Sequence, residues 1–333
     1  MKQLKTLFAL LLIATSLHAT NPDTLLDDSF QCRTFHMGSD YSGEVRSTLT
    51  TKVPLLDSKR AILYIHGYSD YFFQSEMAQR FHDSSYNFYA IDLRKYGRSY
   101  DPSQRLFEVR DLREYFADID SALMVVRGQG AKEVILMGHS TGGLIASYYC
   151  GSRQSAPPVE GLILNSPFLD MNLSPFMEDF ATPIASFVGS FLPDIELYND
   201  TSTAYLESLL SDHHGEWQFN TTLKPFVAPP TTAGWIHAIH EGHKSVQRGY
   251  DLEIPILLMY SDKSVKATEW SPEHQISDSV LDVEDIKKYG ARLGQSVTHA
   301  QIKDGMHDLI LSSYEVREQA YREIFEWLSE VSE

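Results

Sequence analysis

The sequence predicts a protein of the α/β class, with a mostly parallel central sheet covered by helices on both faces. Six short apolar runs have the length of buried strands, and amphipathic helical patterns separate several of them. Continuous apolar strands are typical of parallel sheets, because helices cover both faces of such a sheet. The runs occupy residues 60–66, 87–92, 133–138, 159–165, 254–260 and 297–302.

The remaining elements follow from local periodicity. Residues 30–37 and 45–53 alternate enough between apolar and polar side chains to be early strands. The helical patterns cover residues 112–127, 143–150, 283–293 and 314–328. A chain of 333 residues with 43% hydrophobic residues is long and apolar enough for one large core that carries an insertion.

One stretch, residues 168–250, breaks this alternation of strands and helices. It contains no clear buried strand and is rich in aromatic residues, His and Pro. We predict a helical cap insertion here, between a first core part at 20–167 and a second at 251–333. Its last turn or two should belong to an ordinary crossover helix. Its apolar side chains are expected to form the core of the cap, and some of them could instead line an apolar pocket: Phe176, Phe180, Phe187, Phe191 and Leu192.

The N-terminus has the pattern of a secretory signal peptide. Lys2 and Lys5 precede an apolar run at 7–17, and small residues including Ala19 follow it. The run is too short to span a bilayer comfortably. We therefore predict a signal peptide at 1–19, cleaved near Ala19, and a periplasmic or secreted protein without stable membrane insertion. An uncleaved anchor or a buried first helix is the alternative.

Charge and cysteine content limit the partners. The formal net charge of −17 disfavours nucleic acid and anionic membrane surfaces as partners. The two cysteines, Cys32 and Cys150, could pair in an exported protein, but a buried free thiol is the simpler interpretation of Cys150. Neither the pairing nor the oligomeric state follows from the sequence.

Residues 138–142 read Gly-His-Ser-Thr-Gly and fit the pattern G-x-S-x-G. The pattern is weak alone, but here it follows an apolar strand directly and precedes a helical segment. That is the strand–turn–helix setting in which the central serine is a nucleophile. A side chain at either flanking glycine would obstruct the sharp turn. The context predicts that Ser140 is a catalytic nucleophile.

A serine hydroxyl needs a base, and the base needs a carboxylate to orient it. His307 lies in the loop between the last predicted strand and the C-terminal helix, where the base is expected. Asp262 and Asp278 both follow the strand at 254–260. Twenty-nine residues separate Asp278 from His307, which suits one helix and one strand, so Asp278 is preferred and Asp262 is the alternate acid.

The loop that begins with His66-Gly67 follows the first long buried strand. In this setting the backbone N–H groups of Tyr68 and Thr141 are expected to form the oxyanion hole. We also place His66 and Trp235 in the substrate pocket.

Three histidines of the insertion, His237, His240 and His243, have a spacing that suggests a metal site. The spacing is not that of H-E-x-x-H, and a serine mechanism needs no metal. We therefore predict no metal and no cofactor.

Four segments together resemble the α/β-hydrolase group of monoacylglycerol lipases, lysophospholipases and S33 serine aminopeptidases, from about residue 25 to the C-terminal helix. They are LYIHGYSD at 63–70, YAIDLRKYGRS at 89–99, GHSTGG at 138–143 and DGMHD at 304–308. The stretch between residue 260 and Asp278 departs from the pattern and leaves both aspartates open as the acid.

The resemblance implies a serine hydrolase that cleaves a small acyl ester, such as a lysophospholipid or monoacylglycerol, through an acyl-enzyme on Ser140. Two alternatives stay open. An S33-type aminopeptidase would need acidic groups for a free amino terminus, and the insertion offers Glu178, Asp179, Glu207 and Asp212 in no recognisable pattern. A catalytically silent hydrolase fold used for binding is the other.

Overall fold

The computed structural model describes residues 25–198 and 201–331, and the predicted signal peptide lies outside them. The strands are β1 Phe30–Asp40, β2 Gly43–Lys52, β3 Arg60–Ile65, β4 Asn87–Asp92, β5 Glu133–His139, β6 Gly161–Asn165, β7 Glu196–Tyr198, β8 Thr231–Thr232, β9 Ile256–Ser261 and β10 Val297–Ile302. The helices are α1 Ser75–Asp83, α2 Phe116–Gly128, α3 Thr141–Gly151, α4 Thr182–Gly189, α5 Ala204–Leu209, α6 Ala233–Gln247, α7 Val283–Gly290 and α8 Tyr314–Val331.

The central sheet has, within the described residues, eight strands in the order β1-β2-β4-β3-β5-β6-β9-β10. The β1–β2 and β2–β4 pairs are antiparallel, and every other neighbouring pair is parallel. The predicted fold class is therefore confirmed. All six apolar runs are strands of this sheet, and β4 and β10 begin and end where the sequence predicted.

Side chains of the central strands alternate between two apolar layers. In β5, Val134 and Leu136 contact the layer that holds α2, α3, α6 and α7, whereas Ile135 and Met137 contact the layer of α1 and α8. Successive side chains of a strand point to opposite faces, so a continuous apolar run fills both layers at once. The helices on both faces thereby fix the carboxyl ends of the parallel strands along one edge.

The segment between β6 and β9 contains a π-helical turn at Met177–Ala181, then α4, α5, α6 and a small antiparallel sheet of β7 and β8. The sequence assigned at least the last turn or two to a crossover helix, and α6 packs against α3 and α4. Thr232 caps α6, because its hydroxyl accepts the N–H of Trp235 at 3.1 Å. The boundary at residue 168 stays a prediction.

One expectation about the insertion is wrong. The large apolar side chains expected in its core are exposed, by 58–70%, at Phe176, Phe180, Phe187, Phe191 and Leu192. They lie in or next to the π-helical turn and α4, and the buried residues of α4, Thr182, Ser186 and Gly189, are small. Gly189 approaches so closely that an added Cβ would lie 1.9 Å from the carbonyl oxygen of Ala233. The helix therefore contacts α6 through small residues and leaves the aromatic residues outside.

Two further observations concern the cysteines and the helices. No disulfide joins the two described residues Cys32 and Cys150, the pairing that the sequence left open. No helix among the described residues combines the length and apolar character needed to cross a bilayer.

Candidate active site

Ser140 stands between the end of β5 and the start of α3, with φ 53° and ψ −118°. This backbone conformation is strained for a residue with a side chain. The turn is tight on both sides of the serine. A Cβ at Gly138 would lie 2.5 Å from the carbonyl oxygen of Gly142, and one at Gly142 would lie 2.4 Å from the carbonyl oxygens of Ile65 and His66. Only glycine fits at either position.

The structure brings three of the predicted residues into one hydrogen-bonded chain. The Ser140 hydroxyl lies 2.9 Å from Nε2 of His307, and Nδ1 of the same ring lies 3.0 Å from Oδ2 of Asp278. All three side chains are buried, at 7%, 2% and 0% exposure for Ser140, His307 and Asp278 respectively. The ring is therefore bonded at both nitrogens, with a carboxylate on one side and a hydroxyl on the other.

The two candidate acids have different partners. Oδ1 of Asp278 accepts the N–H groups of Val280 and Leu281 at 2.9 and 2.8 Å, which leaves Oδ2 for His307. Asp262 instead accepts the N–H of Asp304 at 2.8 Å and fixes that turn. The geometry favours Asp278, as the spacing argument did.

The long extension after β9 returns to the strand end. The N–H of Asp278 donates to the carbonyl of Lys263 at 3.0 Å, and Val265 donates to the carbonyl of Asp278 at 2.9 Å. Asp278 therefore lies beside the end of the strand, as Asp262 does. Trp270, at the far end of the extension, stacks on His214 and donates to the Ser208 hydroxyl at 3.1 Å, so the extension is anchored to the insertion.

The backbone N–H groups of Tyr68 and Thr141 donate to no protein acceptor within residues 25–198 and 201–331. Thr141 is the first residue of α3, so its N–H has no carbonyl one turn earlier in the helix. The N-terminus of a helix also carries a partial positive charge. Both predicted oxyanion donors therefore have a free backbone N–H group: that of Thr141 directly follows the serine, and that of Tyr68 lies in the neighbouring loop.

His66 differs from its prediction as a pocket residue. It is buried, its Nδ1 lies 2.8 Å from the carbonyl of Gly67, and its Nε2 accepts the N–H of Leu93 at 3.1 Å. Both ring nitrogens are occupied by backbone groups, so His66 supports the loop from inside. Trp235 is nearly buried in α6, with its ring 5.1 Å from that of Tyr68.

A buried polar cluster lies beside the serine. Lys224 Nζ donates to Oδ1 of Asp70 at 2.8 Å, and Nδ1 of His139 lies 3.8 Å from a carboxylate oxygen of Asp70 and of Asp308. Asn165 donates to Asp308 at 2.7 Å. Burial opposes the charge of Asp70, but the Lys224 ammonium and the His139 ring hold its pKa below the ordinary value.

Sequence reasoning missed several of these neighbours. Lys224 and Tyr205 both come from the insertion, and the Tyr205 ring lies 5.5 Å from that of His307. Asp70 appeared only as the end of the matching segment 63–70. The one available signal was the lysine itself, placed among the aromatic residues Trp217, Phe219 and Phe226.

The three histidines of α6 are not brought together as metal ligands. His243 bonds to the carbonyl of Phe168 at 2.9 Å, and His237 lies 3.1 Å from the Ser186 hydroxyl. Among residues 25–198 and 201–331, no group of three or more His, Cys, Asp or Glu side chains is placed to hold a metal ion.

Comparison with known proteins places the chain among hydrolases in fold. Residues 57–311 match the family model described as serine aminopeptidase, S33. A search of curated proteins gives no sequence match.

Solved structures similar to this one include three hydrolases. A monoacylglycerol lipase from Paleococcus ferrophilus has 16% identity and a TM-score of 0.59, over 91% of this chain and 99% of the other. A soluble monoglyceride lipase variant from Saccharomyces cerevisiae, with a bound substrate analogue, has the same identity and TM-score over 96% and 95%. A carboxyl esterase from Bacillus coagulans has 15% identity and a TM-score of 0.62 over 92% and 99%. At these identities the similarity establishes the fold.

Proposed function

This chain belongs to the serine aminopeptidase S33 family, and on that premise we propose that it is a serine hydrolase that cleaves carboxylic esters through an acyl-enzyme on Ser140. One observation carries the proposal. Hydrogen bonds of 2.9 and 3.0 Å connect Ser140 to His307 and His307 to Asp278, and Ser140 stands on a strained turn before a helix. Nucleophile, base and orienting carboxylate are the parts that acyl transfer by a serine requires.

The reaction follows from these positions. Ser140 Oγ attacks the ester carbonyl while Nε2 of His307 accepts its proton, and Asp278 stabilises the imidazolium through Nδ1. The negative charge that develops on the carbonyl oxygen is held by the N–H groups of Tyr68 and Thr141. The protonated ring then gives its proton to the departing alcohol. Water attacks the acyl-enzyme with the same ring as base, and the carboxylic acid leaves.

The surroundings of the serine support an apolar acyl substrate. The ring of Tyr68, in the loop of the predicted oxyanion donor, lies 5.1 Å from that of Trp235, and the ring of Tyr205 lies 5.5 Å from that of His307. Such aromatic surroundings suit an acyl chain better than a charged group. Proteins of the same fold include monoacylglycerol lipases and a carboxyl esterase. We therefore favour a lysophospholipid, a monoacylglycerol or a similar ester.

Two of the four acidic residues that the insertion offers to an aminopeptidase, Glu178 and Glu207, are engaged in local hydrogen bonds. Glu178 accepts the N–H of Leu173 at 3.0 Å, and Glu207 accepts the hydroxyl of Thr203, one turn earlier. No contact of these two carboxylates in the described chain involves Ser140 or His307. The ester reaction therefore remains the proposal.

Two measurements test it. A fluorophosphonate probe should label the wild-type protein at Ser140, whereas a silent binding protein would stay unlabelled. A panel of p-nitrophenyl esters, monoacylglycerol, lysophospholipid and aminoacyl-nitroanilide should give turnover with the esters. Turnover restricted to the aminoacyl-nitroanilide would contradict the ester assignment and favour the aminopeptidase.

We also propose that the protein is exported and that residues 1–19 are removed, on the pattern of Lys2, Lys5 and the apolar run at 7–17. N-terminal sequencing of protein from its native compartment should begin near Thr20. An intact Met1 terminus in soluble cytosol would contradict it.

A further inference from the structure

The insertion places one lysine inside the molecule. The segment between α5 and β8 carries Lys224, which is 2% exposed and bonds to Oδ1 of the buried Asp70 at 2.8 Å. The rings of Phe219 and Phe73 lie 5.6 and 6.0 Å from its ammonium. A lysine is almost never fully buried unless it is paired, because removing its charge from water is costly. Its one charged partner in the contacts of the described chain is Asp70.

Asp70 ends the loop that presents the Tyr68 N–H. Its Oδ2 faces the N–H of Gly67 at 3.5 Å, on the other side of Tyr68. Between them, Ser69 adopts φ 49°, a conformation that non-glycine residues seldom adopt unless their surroundings hold them there. The Asp70 carboxylate therefore closes the loop around Tyr68, and Lys224 fixes the carboxylate.

The segment that carries Lys224 is bonded at two further points of the site. The N–H of Asn220 donates to the hydroxyl of Tyr71 at 2.9 Å, directly after Asp70. Trp217 Nε1 donates to the carbonyl of Leu311 at 2.8 Å, in the loop that follows His307. The segment thus joins the loop of Tyr68 to the loop of the proposed base.

We propose that Lys224 is a positioning residue for the oxyanion hole, acting through its ion pair with Asp70 on the loop that holds Tyr68. The inference rests on the proposed ester hydrolysis. The ammonium has two effects: it holds the loop that aims the Tyr68 N–H, and it neutralises a carboxylate close to where negative charge develops. An uncompensated Asp70 charge there would oppose the transition state.

The first test is Lys224→Met, which keeps the length of the side chain and removes its charge. With a p-nitrophenyl ester, kcat should fall about 10- to 100-fold, as small misplacements in active sites do. KM should change by less than about threefold, because the Tyr68 N–H acts mainly in the transition state. A boronic acid, which forms an anionic tetrahedral adduct with Ser140, should lose affinity by a similar factor to kcat.

The matched control is Lys244→Met. Lys244 also lies in the insertion and is paired at 2.8 Å, with Glu241, but both partners are nearly half exposed. An exposed pair contributes little. Its kcat, KM and boronate affinity should equal those of the wild type. A fall in kcat equal to that of Lys224→Met would overturn the proposal, since the loss of any positive charge of the insertion would then have the same effect.

A second variant separates positioning from folding. Lys224→Met alone leaves a buried unpaired carboxylate and should lower Tm, whereas Lys224→Met/Asp70→Asn removes both charges and should recover most of it. If the ion pair positions the loop, kcat of the double variant stays at least about tenfold below the wild type although Tm returns. Recovery of kcat together with Tm would overturn the positioning role, because removal of the uncompensated Asp70 charge would then account for the whole loss of activity.

Wild-type turnover separates this inference from the proposed function. If the wild type fails to hydrolyse any ester of the panel and escapes the fluorophosphonate probe, the proposed function fails and this inference fails with it. If the wild type is active and folded Lys224→Met matches it in kcat and boronate affinity, the ester hydrolase stands and the role of Lys224 is refuted.

Discussion

Two regions of the molecule treat their side chains in opposite ways. Along the strand ends, which we call the site edge, Ser140, His307 and Asp278 are buried and bonded to one another. On the outer surface of the insertion, large apolar side chains are 40–70% exposed. They are Leu173, Phe176, Met177, Phe180, Ile184, Phe187, Phe191, Leu192, Ile195 and Leu197. Each of these side chains of the site edge is fixed by burial and by hydrogen bonds, whereas the exposed side chains of the outer surface have few packing contacts that a substitution could remove. Substitutions should therefore have large effects in the first region and small ones in the second.

The largest effect is expected at the nucleophile. Ser140→Ala should lower kcat by roughly 10⁴- to 10⁶-fold while circular dichroism stays unchanged, because only the attacking oxygen is lost. Ser166→Ala is a matched control. Ser166 is also buried, also has positive φ and follows the neighbouring strand β6, but its hydroxyl has no partner among the described residues. It should retain most activity. Wild-type activity in Ser140→Ala would contradict the assignment.

The second-largest effect is expected at the carboxylate that orients His307. Asp278→Asn removes the carboxylate that orients His307 and should lower kcat on the order of 10⁴-fold. Asp262→Asn keeps an oxygen for the N–H of Asp304 and should retain substantial activity. Kinetics with one ester and melting curves of both variants decide between them. The opposite outcome, an inactive Asp262→Asn and a normal Asp278→Asn, would assign the acid to Asp262.

The next-largest effect is expected at the turn that holds Ser140. In Gly142→Ala the new Cβ meets the carbonyl oxygens of Ile65 and His66 at 2.4 Å, so backbone must move at a cost of about 3 kcal/mol or more. Gly128→Ala, at the end of α2, meets nothing within 4 Å and should be neutral or slightly stabilising. Denaturant unfolding measures both. Equal stabilities of the two variants would refute the steric account of the turn.

The smallest effect is expected on the outer surface. Phe187 is 68% exposed, and Phe187→Ser should change the free energy of unfolding by no more than about 0.5 kcal/mol. Phe81 in α1 is fully buried, and its replacement by serine should cost at least about 3 kcal/mol, as buried Phe→Ala changes do. A large loss of stability in Phe187→Ser would mean that the outer surface contributes to folding and would remove the contrast between the two regions.

The same contrast explains what the sequence could predict. The central strands were predictable because each is a continuous apolar run that fills two layers, and Ser140 because its motif stands between a strand and a helix. The exposed Phe187 was predicted wrongly, since hydrophobicity gives no sign of the small residues through which α4 contacts α6. Lys224 and Asp70 were not found because 154 positions separate them. Such a pair follows from the folded path of the insertion and leaves no local pattern.

The two hydrogen bonds between the His66 ring and backbone groups make the stability of the protein depend on pH. Nδ1 must carry the proton that bonds to Gly67, and Nε2 must be bare to accept the N–H of Leu93. Burial lowers the pKa of this ring despite the nearby carboxylates of Asp92 and Asp70. The unfolded chain therefore takes up this proton first, so the stabilisation from His66 is complete well above pH ~6.5 and diminishes as pH falls below that value. Acidification should loosen the loop of Tyr68 before the sheet itself. The Tm difference between the wild type and His66→Gln should accordingly shrink from pH 8 to pH 5.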